Sequence, residues 1–185
     1  MNSIEITAAT LSLVAVLLAV KPYAANWPVA MIGTALYLYL FWQNRLYSDM
    51  VLQAVFLAIQ LYGWVKWVNG GTEKALHISK TPGTVLFKAG FLTLLGWVLW
   101  TLLLLKIKPD ANLPWLDSFA AALSVLAILL QAYKKVENWL VWMLADLIYI
   151  PMYLKAEMPV TALLYAIFLL IAFAGWRQWK RLCVV

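Results

Sequence analysis

The chain has 185 residues, of which 65% are apolar and only 12% charged, where an ordinary soluble domain carries about 25% charged residues. That composition excludes a water-soluble globule. The net charge of +6 does not point to nucleic acid either, because that role needs basic residues clustered on one water-facing surface, and here they sit in short segments between apolar runs.

Seven apolar runs follow in chain order, at about 5–21, 27–43, 48–68, 84–106, 116–134, 138–154 and 159–178. Each is read as a membrane-spanning helix, since an open strand leaves its backbone polar groups unsatisfied in lipid. The first follows Glu5 with no basic leader, which marks a retained span and not a cleaved signal peptide. The second opens on Asn26-Trp27-Pro28, a cap followed by a first-turn proline. Tyr47-Ser48-Asp49 reads as the start of the third, with Asp49 favourable near the helix N-terminus. The longest connection, about 69–83, holds the sole histidine, His77, expected to be solvated. Seven spans of about 21 residues consume roughly 147 positions, so any function is carried inside the bilayer by one compact bundle. Cys183 is the only cysteine and permits no intramolecular disulfide.

Charge sidedness orients the bundle. With the N-terminus outside, the inner segments hold ten Lys and Arg residues, among them Lys21, Lys134, Lys135 and Arg177. The outer segments hold four: Arg45, Lys106, Lys108 and Lys155. Ten against four predicts N-out, C-in under the positive-inside rule.

A shift of 112 residues superposes residues 8–69 on 120–181 without a gap, with 20 identities in 62 positions. The informative matches are the rarer residues: Asn26-Trp27 with Asn138-Trp139, Tyr37 with Tyr149, and Gly63-Trp64 and Trp67 with Gly175-Trp176 and Trp179. Each copy holds three spans, an odd number, so the run at 84–106 is needed to restore a parallel orientation. The expected organisation is a first three-helix repeat (1–70), an inner loop and linker helix (71–111) and a second three-helix repeat (112–185). This 3+1+3 plan is that of small carriers with a substrate site between parallel repeats.

Helical steps of about 100° bring Asn138, Trp142, Asp146, Tyr149 and Tyr153 onto one stripe of the sixth span. Asp146 is the only acid well inside an apolar run. An ionisable group at that depth costs about 3 kcal/mol on insertion scales, so it faces a wet cavity or a partner by default. The third span brings Gln53, Phe56, Gln60, Trp64 and Trp67 onto a matching stripe of amides and rings. The two copies differ where it matters: Thr34 stands opposite Asp146, and Ala172 opposite Gln60. Such asymmetry argues for one off-axis ligand.

Of the 11 tryptophans, Trp27, Trp42, Trp115 and Trp139 lie near span ends and are expected in the interfacial aromatic belt. Trp64, Trp142, Trp97 and Trp100 are the pocket candidates. Aromatic faces take flat heterocycles by stacking and organic cations through the ring quadrupole. With one buried carboxylate and the amides of Gln53, Gln60 and Asn138, the set suits a flat organic cation. No Walker loop, Ser-His-Asp grouping or HExxH motif is present. The alternatives are a scaffold whose aromatic stripes pack against a partner, and a lipid-modifying enzyme, which lacks an evident acid-base pair. A structural role for Asp146, pairing helices through a tyrosine, amide or lysine, also stays open.

The segments YGWVKWVNGG and AGWRQWKR, together with NWLVWMLADLIYIPMYL and the 3+1+3 plan, resemble the PnuC family of bacterial vitamin transporters over essentially the whole chain. The resemblance implies an all-α bundle of seven transmembrane helices, SWEET-like in plan, in the bacterial cytoplasmic membrane. It implies facilitated diffusion without a cofactor, a cytoplasmic kinase that traps the product, and homotrimers in some members. Members carry nicotinamide riboside, thiamine or riboflavin. Riboflavin is neutral, so Asp146 favours the two cations. Nicotinamide riboside is the expected substrate. Thiamine is the alternative, kept open because Tyr149 and Pro151 are bulkier than the residues expected of riboside carriers.

Overall fold

A computed structural model describes residues 3–43, 47–69, 77–107, 109, 113–155 and 159–183. They form seven helices: α1 (Ser3–Val20), α2 (Asn26–Gln43), α3 (Tyr47–Asn69), α4 (Gly83–Ile107), α5 (Pro114–Ala132), α6 (Asn138–Lys155) and α7 (Pro159–Leu182). The helix limits follow the apolar runs because each run supplies the length that crosses a bilayer and little else. α7 departs from its run, continuing to Leu182 with Lys180 and Arg181 in its last turn, where cations suit the helix dipole. α5 ends early, at Ala132, because Lys134 turns left-handed at φ 50 and the amide of Lys135 closes back on the carbonyl of Leu130. The side chains of Tyr47, Ser48 and Asp49 lie outside the described residues.

Five helices, α1, α3, α4, α5 and α7, are long and apolar enough to cross a membrane by composition alone. α2 and α6 are not among them. They carry the polar positions: Asn26, Thr34 and Gln43 on one, Asn138, Asp146 and Lys155 on the other. Each is packed between two of the more apolar helices. α1 packs on α2, α2 on α3, α3 on α5, α5 on α6, α6 on α7 and α7 back on α1, which closes a ring of six. α4 lies outside this ring against α5, with most of its side chains exposed.

The ends of α1, α3, α5 and α7 meet at one end of the ring. There the Trp67 indole N–H of α3 donates to the carbonyl of Ala132, the last residue of α5, at 3.1 Å. The Trp179 indole of α7 donates to Ala19, near the end of α1, at 3.0 Å. The four helices therefore run in the same direction.

The 112-residue spacing of the sequence recurs in contacts. Trp27 fills a slot over Gly63, where an added Cβ would sit 2.5 Å from the ring, and Trp139 fills the slot over Gly175, where the distance would be 2.6 Å. Trp27 meets Trp67 edge-on at 5.3 Å, and Trp139 meets Trp179 edge-on at 5.6 Å. The side-chain amide of Asn26 donates to the carbonyl of Tyr23, and that of Asn138 to Lys135. Trp27 and Trp139 thus lie in the core, each only 1% exposed, and not in the interfacial belt where their position near span ends had suggested. A glycine one helix away leaves room for a whole indole, and burying that ring outweighs placing it at the headgroups. Trp42 and Trp115 are exposed.

The connection before α4 is tied to the turn between α5 and α6. Ser79 exchanges backbone hydrogen bonds with Lys134 and Val136, both at 3.1 Å. The Glu137 carboxylate accepts from the backbone N–H of Thr81 at 3.0 Å and from its hydroxyl at 2.7 Å. His77 is exposed.

The glycine slots give a test of stability. Gly63→Ala and Gly175→Ala force each Cβ against a rigid ring and lower stability by about 1–3 kcal/mol. Gly90→Ala, where an added Cβ meets nothing within 4 Å, is neutral or stabilising by up to about 1 kcal/mol. Thermal unfolding in detergent reads the difference.

Candidate functional site

α6 carries the chemistry. Asp146 lies two turns beyond Asn138, about 12 Å along the helix axis, and is 4% exposed. Among the described residues it has neither a hydrogen bond nor an ion pair. A carboxylate so buried and without a counter-charge is costly in its ionised form.

Tyrosines lie beyond it. Tyr149 and Tyr165 rings are 4.6 Å apart, Tyr153 and Tyr165 stack at 5.2 Å, and Tyr149 and Tyr153 stack at 5.9 Å. Phe168 meets Tyr165 edge-on at 5.9 Å. Tyr149 is close to Ser124 on α5 and within electrostatic reach of both Asp146 and Asp117, and Tyr165 is within reach of Asp146. From the other three-helix set, Tyr37 comes within electrostatic reach of Tyr153 and Glu5. Toward the other end of the ring, Trp142 and Phe56 are half-buried and packed against the tryptophan core. A carboxylate therefore lies between a tyrosine layer and an indole layer.

Not every expected residue joins this group. Gln60 is 6% exposed, and its amide N–H donates to the Thr34 hydroxyl at 2.9 Å, while its carbonyl oxygen is buried without a partner. Gln53 is half-buried. Asn138 holds the turn before α6 through Lys135 and is fully buried at the tryptophan end. Trp64 is 38% exposed, because the buried face of α3 runs through Gln60, Gly63 and Trp67 and leaves Trp64 to one side. The expected Trp64–Trp142 sandwich is absent from the described contacts. Trp97 lies outside the ring on α4, with its N–H on the carbonyl of Trp115 at 2.8 Å. Trp100 lines an apolar groove of about 400 Å³ between α3, α4 and α5. Neither reaches Asp146, since α4 takes no part in the ring.

Tyr165, which lies on the seventh-span stripe matching that of α3, was not among the expected site residues. Its signal was present, since it occupies the repeat position of Gln53 on the face that continues through Phe168. Asp117 and Glu5 share a second such signal, being one repeat apart, each near the tyrosine of its own copy.

Residues 2–181 match the family model described as nicotinamide mononucleotide transporter. The chain belongs to this family, the PnuC transporters. It is 29% identical over 181 residues to the nicotinamide riboside transporter PnuC of Escherichia coli K12, covering 84% of this chain and 75% of that protein. It is 30% identical over 159 residues to the riboflavin/roseoflavin transporter RibM of Streptomyces davaonensis, covering 83% and 73%. PnuC of Neisseria mucosa is 24% identical over 193 residues, covering 95% of this chain and 71% of that protein. The fold is similar to the crystal structure of the vitamin B3 transporter PnuC, with a TM-score of 0.71 at 21% identity over 97% of this chain and 81% of that one. The chain is thus a multi-pass membrane transporter of the PnuC family and not an enzyme.

The unpartnered carboxylate predicts a trade between stability and function. Asp146→Asn removes a buried charge and raises unfolding stability by about 1–3 kcal/mol, measured by thermal unfolding of the substrate-free protein. A structural ion pair would give the opposite sign, because breaking it strands the partner.

Proposed function

We propose that the protein carries nicotinamide riboside across the bacterial cytoplasmic membrane by facilitated diffusion, with a cytoplasmic kinase phosphorylating the product and so trapping it. The observation that carries this reading is Asp146, buried with no counter-charge among the described residues. A pyridinium cation supplies the missing charge. Trp142, Phe56, Tyr149, Tyr153 and Tyr165 offer ring faces to the heterocycle. Gln53 and the unpartnered carbonyl of Gln60 supply polar contacts to the ribose.

In this reading the bundle is a 3+1+3, SWEET-like arrangement: residues 1–70 and 112–185 are the two repeats and 71–111 the loop and linker helix. The repeats rock about Asp146 to expose it to each side in turn. The N-terminus is outside and the C-terminus inside, from the charge count, and the family resemblance adds a homotrimer as the assembly. Thiamine is a second reading, because its thiazolium satisfies the same carboxylate and because the bulky Tyr149 and Pro151 suit a different outline from that of a riboside. Riboflavin, carried by the relative RibM, is neutral and gains nothing from Asp146.

Titration calorimetry of the purified protein with nicotinamide riboside, thiamine and riboflavin tests the reading, alongside uptake of each labelled vitamin into liposomes. The expected result is binding and equilibration of nicotinamide riboside, with Asp146→Asn weakening it at least about tenfold. Unchanged affinity in Asp146→Asn removes the carboxylate from the site. Equilibration of none of the three by well-folded protein returns the scaffold alternative.

A further inference from the structure

The ring is shut at the end where α1, α3, α5 and α7 terminate. Trp27, Trp139 and Trp179 are at most 1% exposed and Trp67 is 8% exposed, with Ile78 and Val136 sealing them from the side of the connecting segments. Two kinds of contact hold this plug. Within each three-helix set the contact is a whole indole seated on a glycine, Trp27 on Gly63 and Trp139 on Gly175. Between the sets, the buried polar contacts among the described residues are three single hydrogen bonds, and an exposed one joins the Tyr62 and Tyr133 hydroxyls at 2.8 Å. Trp67 donates to Ala132 at 3.1 Å, Trp179 to Ala19 at 3.0 Å, and the Gln131 amide to the side-chain oxygen of Asn26 at 3.1 Å. Two tilted ring contacts among the described residues lie on the seam, Trp67 to Trp179 at 6.1 Å and Tyr62 to Tyr133 at 6.0 Å.

The two kinds differ in what they cost to separate. Unseating an indole exposes its full surface and leaves a cavity. A hydrogen bond that opens toward water is exchanged for one to solvent at little net cost. The seam is therefore the breakable element and the sets are the rigid ones. It is also not quite symmetric. Ala19 occupies the repeat position of Gln131, and the side-chain oxygen of Asn138, the counterpart of Asn26, is buried without a partner.

We propose that Trp67 and Trp179 are the paired latch of the gate at this end of the transporter. Each is held shut by its indole N–H on the terminal carbonyls of the opposite set's first helix, with Gln131 to Asn26 as a third tie. They are positioning residues and touch no substrate. The proposal rests on the alternating-access carrier reading above, and it places the gate on the cytoplasmic side if the N-terminus is outside.

The test uses the full chain in liposomes with Cys183→Ala and a reporter at Val136→Cys, a position 6% exposed in the plug. The readout is its rate of reaction with a membrane-impermeant maleimide. Trp67→Phe and Trp179→Phe keep a ring and lose the N–H. Each is expected to raise the labelling rate about fivefold, the shift that one ordinary hydrogen bond supports. Gln131→Ala, which alters neither ring, is expected to raise it similarly and keeps the test decisive should a ring variant not fold. Ala162→Cys, 3% exposed near the start of α7, is expected to stay protected in every variant.

Labelling of Val136→Cys at the parent rate in all three variants overturns the latch. So does parallel labelling of Ala162→Cys, which would mean general loosening. Labelled nicotinamide riboside followed in the same vesicles separates the two readings. Faster Val136→Cys labelling in vesicles whose parent protein moves no vitamin leaves the latch standing and removes the carrier assignment.

Discussion

A single carboxylate enclosed in a bundle of apolar helices, with no cation of its own, is the constraint on which the rest of the structure turns. Asp146 has no hydrogen-bond or ion-pair partner among the described residues, so its ionised form carries an electrostatic cost that a proton or an incoming positive charge relieves. That cost explains why polar positions gather on α2 and α6, each of which packs between two more apolar helices of the ring. Tyr149 and Tyr165 lie within electrostatic reach of Asp146, and neither adds a competing positive charge.

The framework around this charge is a duplicated one. The pairs Trp27 with Gly63 and Trp139 with Gly175, and the backward bonds of Asn26 and Asn138, are the same device built twice. The equipment inside is different. Thr34 on α2 is satisfied by Gln60, whereas for its counterpart Asp146 the repeat position of Gln60 is Ala172, which has no polar side chain to offer. On the proposed reading, one asymmetric charge in a duplicated framework suits a small ligand lying to one side.

Helix number and limits were legible in the sequence because bilayer thickness sets both, and seven runs of the right length left no slack. The repeat was legible because tryptophan, asparagine and tyrosine matches are rare enough to stand out against leucine. The placement of individual tryptophans was not. An indole near a helix end reads the same whether it sits at the headgroups or in a slot, and what distinguishes Trp27 and Trp139 is a glycine on the next helix. Gly63 and Gly175 were visible as repeat matches, yet their partners depend on how neighbouring helices pack. Trp64, Trp97 and Trp100 were misjudged for a related reason. Helical spacing shows which residues share a face but not which face meets the interior, and it does not show that α4 lies outside the ring. Tyr165 was visible as the repeat match of Gln53, but its approach to Tyr149 and Tyr153 of α6 depends on how α6 and α7 pack.

The central claim is that Asp146 recognises the positive charge of the substrate and not merely its outline. The most direct measurement is a double comparison: the affinity of the parent and of Asp146→Asn for nicotinamide riboside and for its reduced, uncharged dihydropyridine form. The parent is expected to prefer the cation by at least about tenfold, and Asp146→Asn to lose that preference with little change in affinity for the neutral form. Equal preference in both proteins would contradict it, since the discrimination would then come from something other than this carboxylate.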